Sequence, residues 1–309
     1  MTLPRLLTRA LLAGLVGIGI AQYLLYQRAT AGVRSLASRL RPAVLVRYDS
    51  FVPFLWGGGR AWNLTLEPAG EIKQGLGVPF GYRLSAREMR VHEIEMAEDG
   101  LPQMFDLTLL GLSVPLPAPG GAPAPQQPAL ELPHLSELGL AEVNGDLRLR
   151  FERMPDGHWE IAADANAPGF ARLAPDFSLV PGPGFLHGEF SDAALLRGGL
   201  RFADLGVVAR VREWMALRAR VSAAGLEPLL LERLDTLARE QAWKLDTASL
   251  DALRRFVRTP AEARVQVAPL HEVLLKNLAL YAPGDRFALL GLKFSDRAGF
   301  EQPPPGQPE

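Results

Sequence analysis

"AEVNGDLRLRFERMPDGHWEIAADA", residues 141 to 165, is the stretch on which the fold class turns. Val143, Leu147, Leu149 and Phe151 share one parity and Asp146, Arg148, Arg150 and Glu152 the other, so an extended chain here has one apolar and one charged face. Pro155-Asp156-Gly157 then supplies turn chemistry, because proline presets φ and glycine accepts positive φ at no steric cost. The chain resumes an extended pattern from Trp159 to Ala165. The stretch predicts an antiparallel hairpin whose apolar face needs a cover.

Working outward, the same period recurs on the N-terminal side. "MFDLTLLGLSVPL" (104–116) reads as a buried strand, and "YRLSAREMRVHEIEM" (82–96) as an edge-like or half-exposed one because charges crowd both its faces. Val44, Val46 and Tyr48 oppose Arg47 and Asp49. In "AWNLTLEP" (61–68), strict alternation puts Trp62, Leu64 and Leu66 on one face against Asn63, Thr65 and Glu67. Gly57-Gly58-Gly59 reads as a hairpin or bulged turn, since no lysine-bearing phosphate motif follows it. Residues 115 to 133 are too rich in proline for a sheet centre and read as a loop or linker. Shorter strands are expected at "DFSLV" (176–180), "FLHGEFSDA" (185–193) and "GGLRFAD" (198–204).

Residues 206 to 258 change period. Val207, Val211, Trp214, Leu217 and Val221 recur at steps of four and three, Leu230, Leu234, Leu237 and Ala238 follow helically after Gly225, and a third helix is expected from Ser249 to Val257 with Leu250, Leu253, Phe256 and Val257 inward. "ARVQVAP" (263–269) returns to strand. "LHEVLLKNLALYA" (270–282) reads as a helix or helix-like turn leading into "RFALLGLKFSD" (286–296), and the proline-rich tail 296–309 is expected to be disordered. The fold class is therefore α+β and mostly antiparallel: a membrane anchor with a juxtamembrane helix over 1–41, a β domain over 42–205, and a helical segment with closing strands over 206–295.

Composition narrows the chemistry. The 309 residues carry 33 Lys plus Arg against 34 Asp plus Glu, so there is no basic field of the kind that neutralises nucleic-acid phosphates. The absence of cysteine excludes disulfides, thiolate nucleophiles, iron–sulfur clusters, Cys-ligated zinc and a lipidated cysteine. The cations are nearly all arginine, as in the proteins of GC-rich bacterial genomes. No nucleophile elbow, phosphate loop, dinucleotide fingerprint or H-E-x-x-H pair occurs, and "GLGVPFG" (75–81) has the wrong spacing for a cofactor loop. His92, His134, His158, His187 and His271 lie in separate segments, and His92 and Glu93 would point to opposite faces of a strand. Glu93 and Glu95 share a face, where solvated charge accounts for them. Asn63-Leu64-Thr65 matches a glycosylation pattern that carries little meaning in a bacterial protein. No catalytic, cofactor-binding or metal-binding residue is expected, and the reading is non-enzymatic.

The N-terminus supplies a location. Between Ala10 and Tyr26 only Gln22 is strongly polar, and at about 1.5 Å per residue this run spans roughly 25 Å. Tyr23 and Tyr26, followed by Arg28, mark a membrane–water boundary. Ala29-Thr30-Ala31 fits a signal-peptide cleavage pattern, so an anchor and a cleaved signal are both open, the length of the run favouring the anchor. Val33, Leu36, Ala37 and Leu40 continue as an amphipathic helix along a membrane surface. Arg28, Arg34, Arg39 and Arg41 argue for a cytoplasmic body by charge counting, whereas the short leader and long trailing domain argue for export, the reading adopted here.

With the anchor, "VRYDSFVPFLWGGGRAWNLTLEP" (46–68) and "LRLRFERMPDGHWEIAADA" (147–165) taken together, residues 5 to 200 resemble AsmA-like bacterial envelope proteins, which begin with a single membrane helix and continue as short amphipathic strands. The resemblance implies a single-pass inner-membrane protein with a curved sheet in the periplasm, acting in envelope maintenance or lipid handling, with membrane lipids and another envelope protein as partners. The chain departs from that pattern in its shortness and in its helical segment 206–258. Three covers for the apolar sheet face stay open: the chain's own helices, a ligand, or another chain. The alternative function is an accessory subunit of an assembly or secretion apparatus acting through strand addition.

Overall fold

The computed structural model describes residues 44–54, 58–68, 83–97, 102–116, 135–182 and 190–296. The N-terminal run, "GLGVPFG", nearly all of the proline-rich loop, His134, His187 and the tail lie outside them. Among the described residues no helix is long and apolar enough to cross a membrane.

The alternating segments assemble into one open, curved, 12-stranded sheet. Its strands are β1 (Val44–Arg47), β2 (Ser50–Pro53), β3 (Gly59–Pro68), β4 (Leu84–Met96), β5 (Pro102–Pro115), β6 (Glu142–Arg153), β7 (Trp159–Ala167), β8 (Ala171–Val180), β9 (Ala194–Asp204), β10 (Glu262–Val267), β11 (Val273–Leu274) and β12 (Lys293–Asp296). The spatial order is β1-β3-β4-β5-β6-β7-β8-β9-β10-β12, with β2 beside β3 and β11 beside β9, and every pairing is antiparallel. The expected hairpin forms with Leu147 opposite Ala165, Leu149 opposite Ala163 and Phe151 opposite Ile161. Its turn closes through the Gly157 amide, which donates to the Met154 carbonyl at 2.9 Å with Gly157 at φ 89°.

Two expectations for the N-terminal strands need correction. β4 is an interior strand, paired to β3 on one side and β5 on the other. Two of the charges that made it look edge-like pair within the sheet, Glu88 accepting from Arg90 at 2.7 Å and lying 3.4 Å from Arg60, while Arg87, Glu93 and Glu95 are exposed, so the strand is half-exposed without being an edge. Trp62 does not share a face with Leu64. Asn63, Arg87 and Gly111 fall at one level of β3, β4 and β5 and are skipped by the ladders, with Asn63 at φ 53° and Gly111 at φ 62°.

A left-handed residue in each outer strand of this trio rotates the chain and reverses its alternation. The apolar face therefore takes Ala61 and Leu64, Ala86 and Met89, and Leu109 and Leu112, each pair three residues apart. Trp62 turns to the polar face with its register partners Ser50 and Glu88. Side chains pin the row at both ends. Asn63 Nδ2 donates to Asp49 Oδ2 at 2.7 Å, and the Gly111 amide donates to Asp146 Oδ1 at 2.8 Å.

Between β9 and β10 the chain leaves the sheet as α1 (Val207–Ala219), α2 (Ala223–Glu240) and α3 (Thr247–Arg258), then returns to the strand adjacent to its departure point. Short polar side chains start these helices, satisfying amides that lack intrahelical partners. Asp204 accepts from the Gly206 and Val208 amides at 3.0 Å, Ser222 from Gly225 at 3.2 Å, and Asp246 from Ser249 at 2.7 Å. α1 and α2 enclose a core of Met215, Ala216 and Leu226. α3 lies on β12, its Phe256 ring meeting Phe202 and Phe294 edge-on at 5.9 and 6.0 Å. The buried Ser249 hydroxyl accepts the Phe294 amide at 3.0 Å, locking helix to strand.

The remaining differences lie where short segments change type. "FLHGEFSDA" ends in a 3-10 turn, Phe190–Asp192, in its described part, and the Asp192 carbonyl packs against Gly182, where a Cβ would sit 2.3 Å away. Residues 270–282 form β11 and then the 3-10 turn Leu275–Leu280, whose first amide bonds to the carbonyl of the fully buried Ala193 at 2.9 Å. The following stretch opens as a short helix, α4 (Pro283–Leu289), and finishes as β12.

Candidate functional site

The sheet divides its two faces by chemistry. On the polar face, arginines and carboxylates pair across strands: Arg148 donates to Asp106 at 3.0 and 2.6 Å, Arg172 to Asp164 at 2.8 and 2.6 Å, and Arg197 to Glu160 at 2.8 Å. The guanidinium beside each of Asp106 and Asp164 holds its carboxyl below the usual aspartate value. A depressed folded-state pKa stabilises the fold above the unfolded value, 3.8 for Asp106, and that contribution is lost as pH falls through the lower folded value. Asp106→Asn is accordingly expected to lower the melting temperature at neutral pH, with the gap to the wild type closing below about pH 4. Thermal melts of both proteins across that range check this.

The other face is apolar and is the candidate site. Its first part gathers Leu64, Ala86 and Leu109, flanked by Val46, Leu66, Met89, Leu107, Leu112 and Leu147. Its second part gathers Phe151, Trp159 and Ala193, with Phe105 stacked on Phe151 at 5.4 Å and Trp159 edge-on to Phe151 at 4.6 Å. Leu275 of the 3-10 turn closes over this second part. The helices pack chiefly on one another and on β12, and α1 also reaches the 3-10 turn Leu135–Leu138 that precedes β6. Along β6 the cover is graded: Phe151 is buried, whereas Val143, Leu147 and Leu149 are half-buried.

The described histidines occupy separate, ordinary settings. His92 shares a hydrogen bond with Thr108 Oγ1 at 2.8 Å, His158 sits between Asp156 and Glu160 beside the β6–β7 turn, and His271 is exposed. Glu93 and Glu95 are exposed on β4. Among the described residues no group of three metal-ligating side chains comes together. The feature that sequence reading missed is the Asn63–Arg87–Gly111 row. Its signal was present as apolar residues three apart in three successive strands, a spacing that strict alternation cannot use.

This site is therefore a surface rather than a constellation of reactive groups, built on β1 and on β3 to β8. Neither the family models nor the curated proteins searched contain a match to this chain.

Proposed function

We propose that the chain is a non-enzymatic, membrane-tethered module of the bacterial envelope, its body in the periplasm, whose apolar sheet face holds the acyl part of a lipid in envelope maintenance or lipid handling. The observation that carries the reading is the apolar patch across β3 to β6, in which half-buried Leu66, Met89, Leu107, Leu112 and Leu147 surround the buried Leu64, Ala86 and Leu109. A face of this kind gains about 25 cal/mol for each Å² of apolar surface withdrawn from water, so an occupant of matching chemistry is held without directional contacts. The apolar run 10–26 supports the tether, and its tyrosine boundary with the amphipathic 33–40 stretch supports a body kept near the bilayer.

Native mass spectrometry of the full chain extracted in mild detergent tests the reading. The expected spectrum contains protein carrying one or more phospholipid masses that survive collisional removal of the micelle. A lipid-free chain sinks the proposal, and a stoichiometric protein partner in place of lipid replaces it with the accessory-subunit role.

A further inference from the structure

The polar face carries one exception to its own pattern. Arg60, Arg90, Arg148, Arg150, Arg172 and Arg197 each have a carboxylate within ion-pair distance. Arg201 of β9 and Arg264 of β10 instead stand directly opposite one another in the ladder, and Lys293 of β12 lies two register positions along, opposite Gln266. Among the described residues none of these three cations has a hydrogen bond or ion pair. Directly opposed like charges destabilise a sheet. Arg264 is moreover half-buried, so its charge is less well screened than that of a fully exposed arginine.

Arg264 also separates two shallow hollows, of about 440 and 390 Å³. The first adds Arg172 and Arg201 to its rim, and the second adds Arg197, Gln266 and Lys293. Gly198 lines the second hollow, and the Asp176 carboxylate lies over the neighbouring Gly199, where a Cβ would come within 2.2 Å of it. The acids facing the cluster are Asp176, Glu160 and Glu262, and Asp246, at the start of α3, lies near enough to Lys293 to feel its charge. Glu160 is engaged by Arg197 and His158, while Asp176 and Glu262 make no ion pair with the three cations.

We infer that Arg201, Arg264 and Lys293 form a binding site for a phosphate group on the polar face, separate from the apolar site and independent of what occupies it. A phosphate has the oxygens to accept from both guanidinium forks while meeting the ammonium as a point charge, and its charge relieves the repulsion between the opposed arginines. A phospholipid headgroup and a soluble phosphate compound share this chemistry.

The test uses the full chain in a nonionic detergent, with the wild type and the Arg201→Gln/Arg264→Gln double variant melted side by side. In chloride at matched ionic strength the double variant is expected to melt at or above the wild type, because a repulsion is removed. Inorganic phosphate is then added in one arm and dihexanoyl phosphatidylglycerol in the other. Stabilisation of the wild type by phosphate, with the apparent affinity at least tenfold weaker in the variant, supports the site with a soluble source. The same loss in the lipid arm alone supports it with a headgroup source. Stabilisation equal in both proteins, or absent from both arms, overturns the proposal.

Discussion

Phe151→Ala is expected to cost about 4 kcal/mol, the largest loss for a single truncation in the sheet. The ring is 5 % exposed and lies between Phe105 and Trp159, so its removal deletes two aromatic contacts and opens a void that β-strands tied into ladders on both sides cannot collapse to fill. The loss concentrates where Leu275 closes the second part of the apolar face. Denaturant unfolding followed through Trp159 fluorescence, with the other tryptophans replaced by phenylalanine, reads it directly. A volume-conserving Phe151→Leu should recover more than half of the loss, which identifies the effect as packing.

Leu226→Ala is expected to cost about 3 kcal/mol, and to act elsewhere. Leu226 is fully buried near the start of α2, against Met215 and Ala216 of α1, with Val221 and Leu230 completing its surroundings. This core shares no residue with the two clusters on the sheet. The helices should therefore loosen before the strands do. Trp214, which packs on the Leu226 cluster, is expected to report an earlier transition than Trp159 in this variant, whereas Phe151→Ala should reverse that order. Coincident transitions in both variants would show that the helical excursion and the sheet unfold as one unit.

How much of this was legible depends on how far each element's signal is local. The 141–165 hairpin could be read outright, because alternation, turn chemistry and register all sit within it and agree. The three helices after Gly206 could be read from their apolar period, but their starts could not: the second begins at Ala223 behind Ser222 and the third at Thr247 behind Asp246, both ahead of the apolar positions that announced them. β4 misled because Glu88 and Arg90 pair with one another and Glu88 with Arg60 on β3, so part of its crowded charge marked pairing within the sheet instead of an edge. Trp62 misled because one left-handed residue, Asn63, reverses the phase of everything beyond it. Such a residue is invisible to a two-fold pattern unless the three-residue spacing is noticed in neighbouring strands together.

The segment 270–296 was the least legible. Its shape is fixed by distant backbone: the Ala268 amide donates to the Leu290 carbonyl, the Leu275 amide to the Ala193 carbonyl, and Gly291 adopts φ 54° against Ala268. The candidate site followed the same division. Its apolar composition was readable from Val143, Leu147, Leu149 and Phe151. Which part of the face the helices would cover was not, because that depends on where the chain re-enters the sheet after α3. Re-entry at β10 beside β9 places α3 on β12, while α1 reaches the 3-10 turn Leu135–Leu138.

Site-specific photo-crosslinking in bacterial cells expressing the full chain tests the central claim most directly. A photoreactive phenylalanine analogue is placed in turn at Leu107, Leu147 and Leu149 on the apolar face, and at Thr108, Arg148 and Arg150, their neighbours on the polar face. The expected result is phospholipid adducts at the first three positions and none at the second three. Equal lipid labelling of both faces, or adducts at Leu107, Leu147 and Leu149 that contain only protein, would contradict a lipid-holding apolar face.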